Sequence, residues 1–91
     1  MKEITINALK YRLEKDYREA FDEKEVADKL TDYYYNYVYI VGDWAYGKLR
    51  LKGFYESNSK NVTAINNIKE LDEYIANNCA YGCKYFVLRK I

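Results

Sequence analysis

Two short runs near the start of the chain alternate apolar and polar residues, Ile4-Thr5-Ile6 and Leu9-Lys10-Tyr11-Arg12-Leu13, with Asn7 between them. Alternation at period two puts every second side chain on one face of a strand. Asn suits a turn, so this segment predicts a small hairpin. The period then changes. Val26, Ala27, Leu30, Tyr33, Tyr34 and Tyr37 recur at spacings of three and four, which predicts a first helix over about 23–34. Asp22 with Glu25 three residues on reads as its carboxylate N-cap, and acidic residues crowd the first turn where the helix dipole favours them.

Tyr37-Val38-Tyr39-Ile40-Val41 is β-branched and aromatic and stops at Gly42-Asp43. After a loop, Lys48 to Lys52 alternates strictly within Gly47 to Tyr55. The two runs predict an antiparallel hairpin with Asp43-Trp44-Ala45-Tyr46 as its loop, and Gly42 and Gly47 giving backbone freedom at the loop ends. Asn67 and Glu70 repeat the capping pattern ahead of a second helix over 68–79, whose apolar face is Ile68, Leu71, Ile75 and Cys79; Asn77, Asn78 and Gly82 mark its end. Tyr85-Phe86-Val87-Leu88 lacks polar alternation and predicts a central strand covered on both faces. The order β-β-α-β-β-α-β is that of an α+β domain, a largely antiparallel sheet of about five strands with two helices, with residues 1–91 forming one domain.

Composition changes this picture in one direction. Apolar residues make up 49% and charged residues 32%, with no proline, and there are twelve tyrosines but no histidine. The missing histidine removes Ser-His and Cys-His catalysis, His-ligated metals and His-based pH switching. A chain of this length buries roughly 60 to 65% of its unfolded surface, enough for one modest core and a shallow site. No run approaches the ~18 apolar residues of a membrane span, and the N-terminal residues carry no signal-like stretch. The expected location is the cytoplasm, with Cys79 and Cys83 reduced and no membrane partner. Net charge is only +1, but residues 1–45 carry seven basic and ten acidic side chains and residues 46–91 eight and four. Recognition of phosphate depends on that local concentration rather than on the total.

A longer pattern then becomes specific. Tyr39-Ile40-Val41-Gly42-Asp43-Trp44-Ala45-Tyr46-Gly47-Lys48-Leu49-Arg50-Leu51-Lys52-Gly53-Phe54-Tyr55, the later stretch from Asn78 to Lys90, and Asp16-Tyr17-Arg18 with Phe21 upstream resemble the YutD-like family of small bacterial proteins. The resemblance spans nearly the whole chain. It implies a bacterial, cytoplasmic protein and supplies no catalytic residue or cofactor to carry over.

Candidate chemistry therefore comes from the residues. In the fourth strand Leu49 and Leu51 point one way and Lys48, Arg50 and Lys52 the other, and Tyr37 and Tyr39 are expected to share that second face. Cations beside rings suit single-stranded RNA or another polyanion, since bases stack on rings while Lys and Arg neutralise phosphate. They also suit ordinary cross-strand packing. Trp44 and Tyr46 in a loop are expected to divide, Trp44 toward packing and Tyr46 toward contact with a partner. Tyr81 is a further contact candidate, whereas Tyr33, Tyr34 and Tyr74 are expected to serve helix packing. Asp43 after Gly42 is expected to hold its own turn.

Cys79 and Cys83 stand at the negative end of a helix dipole, which disfavours a reactive thiolate, and zinc would need two more ligands. Both read as buried packing residues, with no cofactor or metal expected. Asp22, Glu23, Glu25, Asp28 and Asp32 form an acidic helix face. The leading expectation is a non-enzymatic binding module for RNA or another polyanion. The alternative is a protein-protein adaptor that presents the Gly-Asp-Trp loop and the acidic helix. An enzyme built on Asp43 with Lys48 or Arg50, or on a thiol, is a third class, and the oligomeric state is left open.

Overall fold

The computed structural model describes residues 2–78 and 83–91. Five strands form one sheet: β1 (Lys2–Ile6), β2 (Leu9–Tyr17), β3 (Tyr39–Ala45), β4 (Lys48–Phe54) and β5 (Tyr85–Lys90). Two helices complete the predicted order, α1 (Glu23–Lys29) after β2 and α2 (Leu71–Asn78) before β5. The spatial order is β1-β2-β5-β3-β4, and every strand pair is antiparallel. The last strand in sequence therefore lies in the middle of the sheet, as its unbroken apolar run predicts, and β1 and β4 form the edges.

Both hairpins turn on two residues in left-handed conformation. Asn7 and Ala8 (φ 52° and 69°) join β1 to β2, and Tyr46 and Gly47 (φ 54° and 76°) join β3 to β4. Two successive positive φ values match the twist of the flanking strands. The second turn is therefore shorter than the sequence suggests. Asp43, Trp44 and Ala45 belong to β3 and face Arg50, Leu49 and Lys48 across the ladder. Gly42 does not end the strand either: a Cβ there would overlap the Phe86 ring, so glycine is what lets β5 pack its central aromatic against β3.

The first helix is also shorter than the apolar period implies. Asp22 caps it as expected, its Oδ1 accepting from the Glu25 N–H at 3.2 Å. Its end is set at Leu30, which turns to extended backbone. Asn7 donates from Nδ2 to the Leu30 carbonyl at 2.7 Å, so the first hairpin turn satisfies one of the helix's orphan C-terminal carbonyls. Tyr33 and Tyr34 then fall in a separate 3-10 turn, Asp32–Tyr34. The predicted second helix divides into a 3-10 turn, Ile68–Glu70, and α2; the Asn67 side chain accepts from the Lys69 N–H at 3.0 Å.

The helices cover opposite faces. On one face Ile4, Ile6, Tyr11, Ile40, Leu49, Phe86 and Leu88 pack with Val26 and Leu30 from the α1 region. On the other, Val41, Phe54, Tyr85 and Val87 are covered by Ile68, Leu71, Tyr74 and Ile75. Among the described residues no helix is long and apolar enough to cross a membrane. Cys83 is disulfide-bonded, against the expectation of a reduced packing residue; Cys79 lies outside the described residues.

Candidate functional site

Strand alternation decides where the predicted basic face sits. Lys48, Arg50, Lys52 and Phe54 are on the same side of β4, and Phe54 is buried there beneath Tyr74 of α2, their rings in an edge contact with centroids 5.5 Å apart. The basic face is thus closed at one end by the second helix. Lys52 Nζ lies 5.2 Å from the Phe54 ring centroid and 5.7 Å from that of Tyr74, so its cation rests over two rings. Arg50 turns back to β3: its Nε donates to Asp43 Oδ1 at 3.1 Å and its Nη2 to Oδ2 at 2.6 Å. Lys48 is exposed near the hairpin tip.

Asp43 is 1% exposed and both its oxygens are held by one planar guanidinium, the geometry that Arg supplies and Lys does not. The same bond holds the Arg50 guanidinium above its ordinary value. The carboxylate expected to fix its own turn instead ties β3 to β4.

The tyrosines separate. Tyr39 shares the Lys52 side, where Arg89 sits 5.5 Å from its ring centroid. Tyr37, expected on that same side, lies on the opposite face of the sheet, its ring in the space where a Gly53 Cβ would be. The physical reason is that β3 begins only at Tyr39, so strand alternation does not extend back to Tyr37. Trp44 is half-buried in β3 and donates from Nε1 to the Ala20 carbonyl at 2.8 Å, so it packs and no Gly-Asp-Trp loop is presented. Tyr46 is 99% exposed at the hairpin tip, where its contact role was expected. Tyr81 lies outside the described residues.

What the structure does bring together runs along the outer edge of β4. A groove of about 340 Å³ is lined by Tyr33, Tyr34 and Tyr37 on the α1 side, by Tyr74, Arg50 and Lys52 on the α2 side, and by Leu51 and Gly53 at its floor. Tyr33 and Tyr34 meet edge to face, centroids 4.9 Å apart, and Tyr37 packs on Tyr55 at 4.8 Å. Tyr33 is 68% exposed, so its assignment to helix packing does not hold.

Three of the groove phenols, Tyr34, Tyr37 and Tyr74, ionise above the ordinary tyrosine value. Burial first and then Tyr33 raise Tyr34, a hydrogen bond with Tyr33 followed by burial raises Tyr37, and burial first and then the Asp43 charge raise Tyr74. Each presents an O–H and a ring, the amphipathic surface that favours interfaces. A second groove of about 390 Å³ continues beyond Lys52 and Tyr74, bounded by Ile65, Glu70 and Glu73. Among the described residues no group of three or more Cys, Asp and Glu is placed to hold a metal.

This arrangement lies inside a segment with named relatives. The family model described as "Putative antitoxin YutD-like" matches residues 5–89. The chain belongs to the YutD-like family. Within it, "Putative antitoxin YutD" of Bacillus subtilis (strain 168) is 41% identical over 88 residues, 97% of each chain. The solution NMR structure of protein yutD from B. subtilis superposes with a TM-score of 0.82 at 40% identity, over 100% of this chain and 83% of that one. The YutD-like fold is therefore the one described above. Sequence patterning missed the β4 groove because its walls come from three separate segments. The one available signal was the surplus of rings in Tyr33-Tyr34-Tyr35-Asn36-Tyr37 beyond what a helix face uses.

Proposed function

We propose that this YutD-like chain is a non-enzymatic binding module whose partner is another protein, held at the β4 edge and the β3–β4 hairpin tip. The observation that carries the reading is the groove walled by Tyr33, Tyr34, Tyr37 and Tyr74 beside Arg50. Tyr and Arg are the residue types that dominate protein-protein hot spots, where a ring and a hydroxyl act together with little conformational entropy to lose. Tyr46 beyond the groove adds a ring wholly in solvent. The word antitoxin in the name of the Bacillus subtilis relative supports a protein partner. The reading also moves the contact residues away from Trp44 and the acidic helix, because the Trp44 indole is engaged with Ala20.

The test is capture from the native cell with the full tagged chain. A protein retained after nuclease treatment, and lost with Tyr33→Ala or Tyr46→Ala, supports the reading; both residues are exposed enough to be replaced without disturbing the core. A partner unaffected by both substitutions overturns it. Within this reading the module works in the cytoplasm, which fractionation of the native cell checks.

A second reading, RNA or another polyanion, is favoured by the exposed Lys48 and Arg50 on one side of β4. It is weakened by the Asp43 carboxylate, which already occupies Arg50, and by the separation of Tyr37 from Tyr39 across the sheet. Single-stranded RNA binding that falls steeply with salt, and fails when Lys48, Arg50 and Lys52 become Ala, would favour it.

A further inference from the structure

The backbone of β4 has one side unused. Trp44 N–H donates to the Lys84 carbonyl and Lys90 N–H to the Val38 carbonyl, so the even-numbered residues of β3 bond toward β5. Alternation then directs Ala45, Asp43 and Val41 toward β4, where they meet Lys48, Arg50 and Lys52. The peptide groups of Leu49, Leu51 and Gly53 consequently point outward, and among the described residues no strand pairs with that edge along β4; just past it the Tyr55 peptide is taken by Asn66 and Ile68. The tyrosine groove lies against this row, with Leu51 and Gly53 at its floor.

We infer that this edge takes an extended segment of a partner protein as a sixth strand, with acidic and apolar residues alternating along it. The inference rests on the protein-partner reading above and names the partner's chemistry. Added strands are held by main-chain hydrogen bonds and selected by alternate side chains. On the α2 side those side chains stand beside Lys48 and Arg50, where opposite charge is favourable and like charge is not. On the α1 side they stand beside Leu49 and Leu51 and against Tyr33, Tyr34 and Tyr37, where apolar groups fit. The acidic positions lie toward Lys48, because Glu70 and Glu73 stand beyond Lys52.

Charge also decides against the other obvious occupant. Two copies of β4 pairing antiparallel about Arg50 would set Arg50 opposite Arg50 and Lys48 opposite Lys52. Basic residues on an edge strand are a known way of preventing self-association, and here Lys48, with the exposed half of the Arg50 side chain, admits an acidic strand.

The experiment titrates the full chain, labelled for amide NMR, with a nine-residue peptide of alternating glutamate and valine. The expected result is at least tenfold slower hydrogen exchange at the Leu49 and Leu51 amides. Binding should weaken at least tenfold when alternate peptide nitrogens are methylated, and again with a lysine-valine peptide. Peptide methylation tests the ladder without altering the protein, and Lys48→Glu, at an exposed site, tests charge without risk to folding. Failure of the acidic peptide to bind, indifference to methylation, equal binding of the basic peptide, or a dimer joined through β4 would each overturn the inference. Nuclease-resistant capture that depends on Tyr33 or Tyr46 while the peptide fails would leave the protein-partner reading standing without the added strand.

Discussion

Arg50 grips the buried carboxylate of Asp43 across the β3–β4 ladder with two hydrogen bonds, while 47% of its own side chain remains exposed. Removing Arg50 leaves Asp43 desolvated and unpaired. Loss of one partner of a fully buried pair costs ~3 to 5 kcal/mol, and the half-exposed arginine reduces this, so Arg50→Ala is expected to cost about 2 kcal/mol. Arg50→Lys should recover only part of it, because an ammonium cannot make the paired contact. Urea denaturation of the three proteins checks the ranking; an unchanged midpoint for Arg50→Ala would contradict the role given to the pair.

Two glycines in neighbouring strands are expected to respond differently to alanine. At Gly42 the added methyl meets Phe86, which is fully buried at the centre of the sheet and has nowhere to move. At Gly53 it meets Tyr37, half-buried at the rim of the groove. Overpacking costs ~1 to 3 kcal/mol, so Gly42→Ala belongs at about 3 and Gly53→Ala at about 1. Gly53→Ala should also displace the Tyr37 ring and open the groove wall, which the NMR shifts of Tyr33 and Tyr55 would report.

The hydroxyl of Tyr11 is buried with no hydrogen-bond partner among the described residues, and burial, followed by the nearby Tyr35, raises its ionisation above the ordinary tyrosine value. An unpaired buried hydroxyl carries a desolvation penalty of ~1 to 3 kcal/mol. Tyr11→Phe keeps the ring and removes the penalty. The expected gain is about 1 kcal/mol, seen as a higher thermal midpoint; a loss of stability would mean that the hydroxyl is satisfied in solution.

Tyr11, Tyr34, Tyr37 and Tyr74 all ionise above their ordinary value in the fold. An acid whose folded value is raised holds its proton longer folded than unfolded, so the unfolded state binds fewer protons once pH passes about 10. Stability is therefore unaffected by these groups below that pH and falls as pH rises through it. Tyrosinate absorbance should lag behind that of the denatured chain, and Tyr74→Phe should lessen the alkaline loss. Coincident titration of folded and denatured chains would refute this.

Strands, helices and their order could be read from the chain because each rests on local periodicity: alternation at Lys48 to Lys52, spacing of three and four around Val26 and Leu71, and the unbroken apolar run that put Tyr85 to Leu88 in the sheet's centre. Boundaries failed where a distant partner set them. Leu30 ends α1 with Asn7 on its carbonyl, and Trp44 continues β3 with its indole on Ala20. No periodicity along the sequence encodes either bond.

The twelve tyrosines divide along the same line. Composition alone established that histidine chemistry is absent and that rings are in surplus. Only the packing of α1 and α2 on opposite faces decided that Tyr37 and Tyr39 part company, that Arg50 is held by Asp43, and that Tyr33, Tyr34, Tyr37 and Tyr74 meet at the edge of β4. A strand's side chains follow from its own residues, whereas its place at an edge depends on which other strands pair with it, and that is a property of the whole sheet.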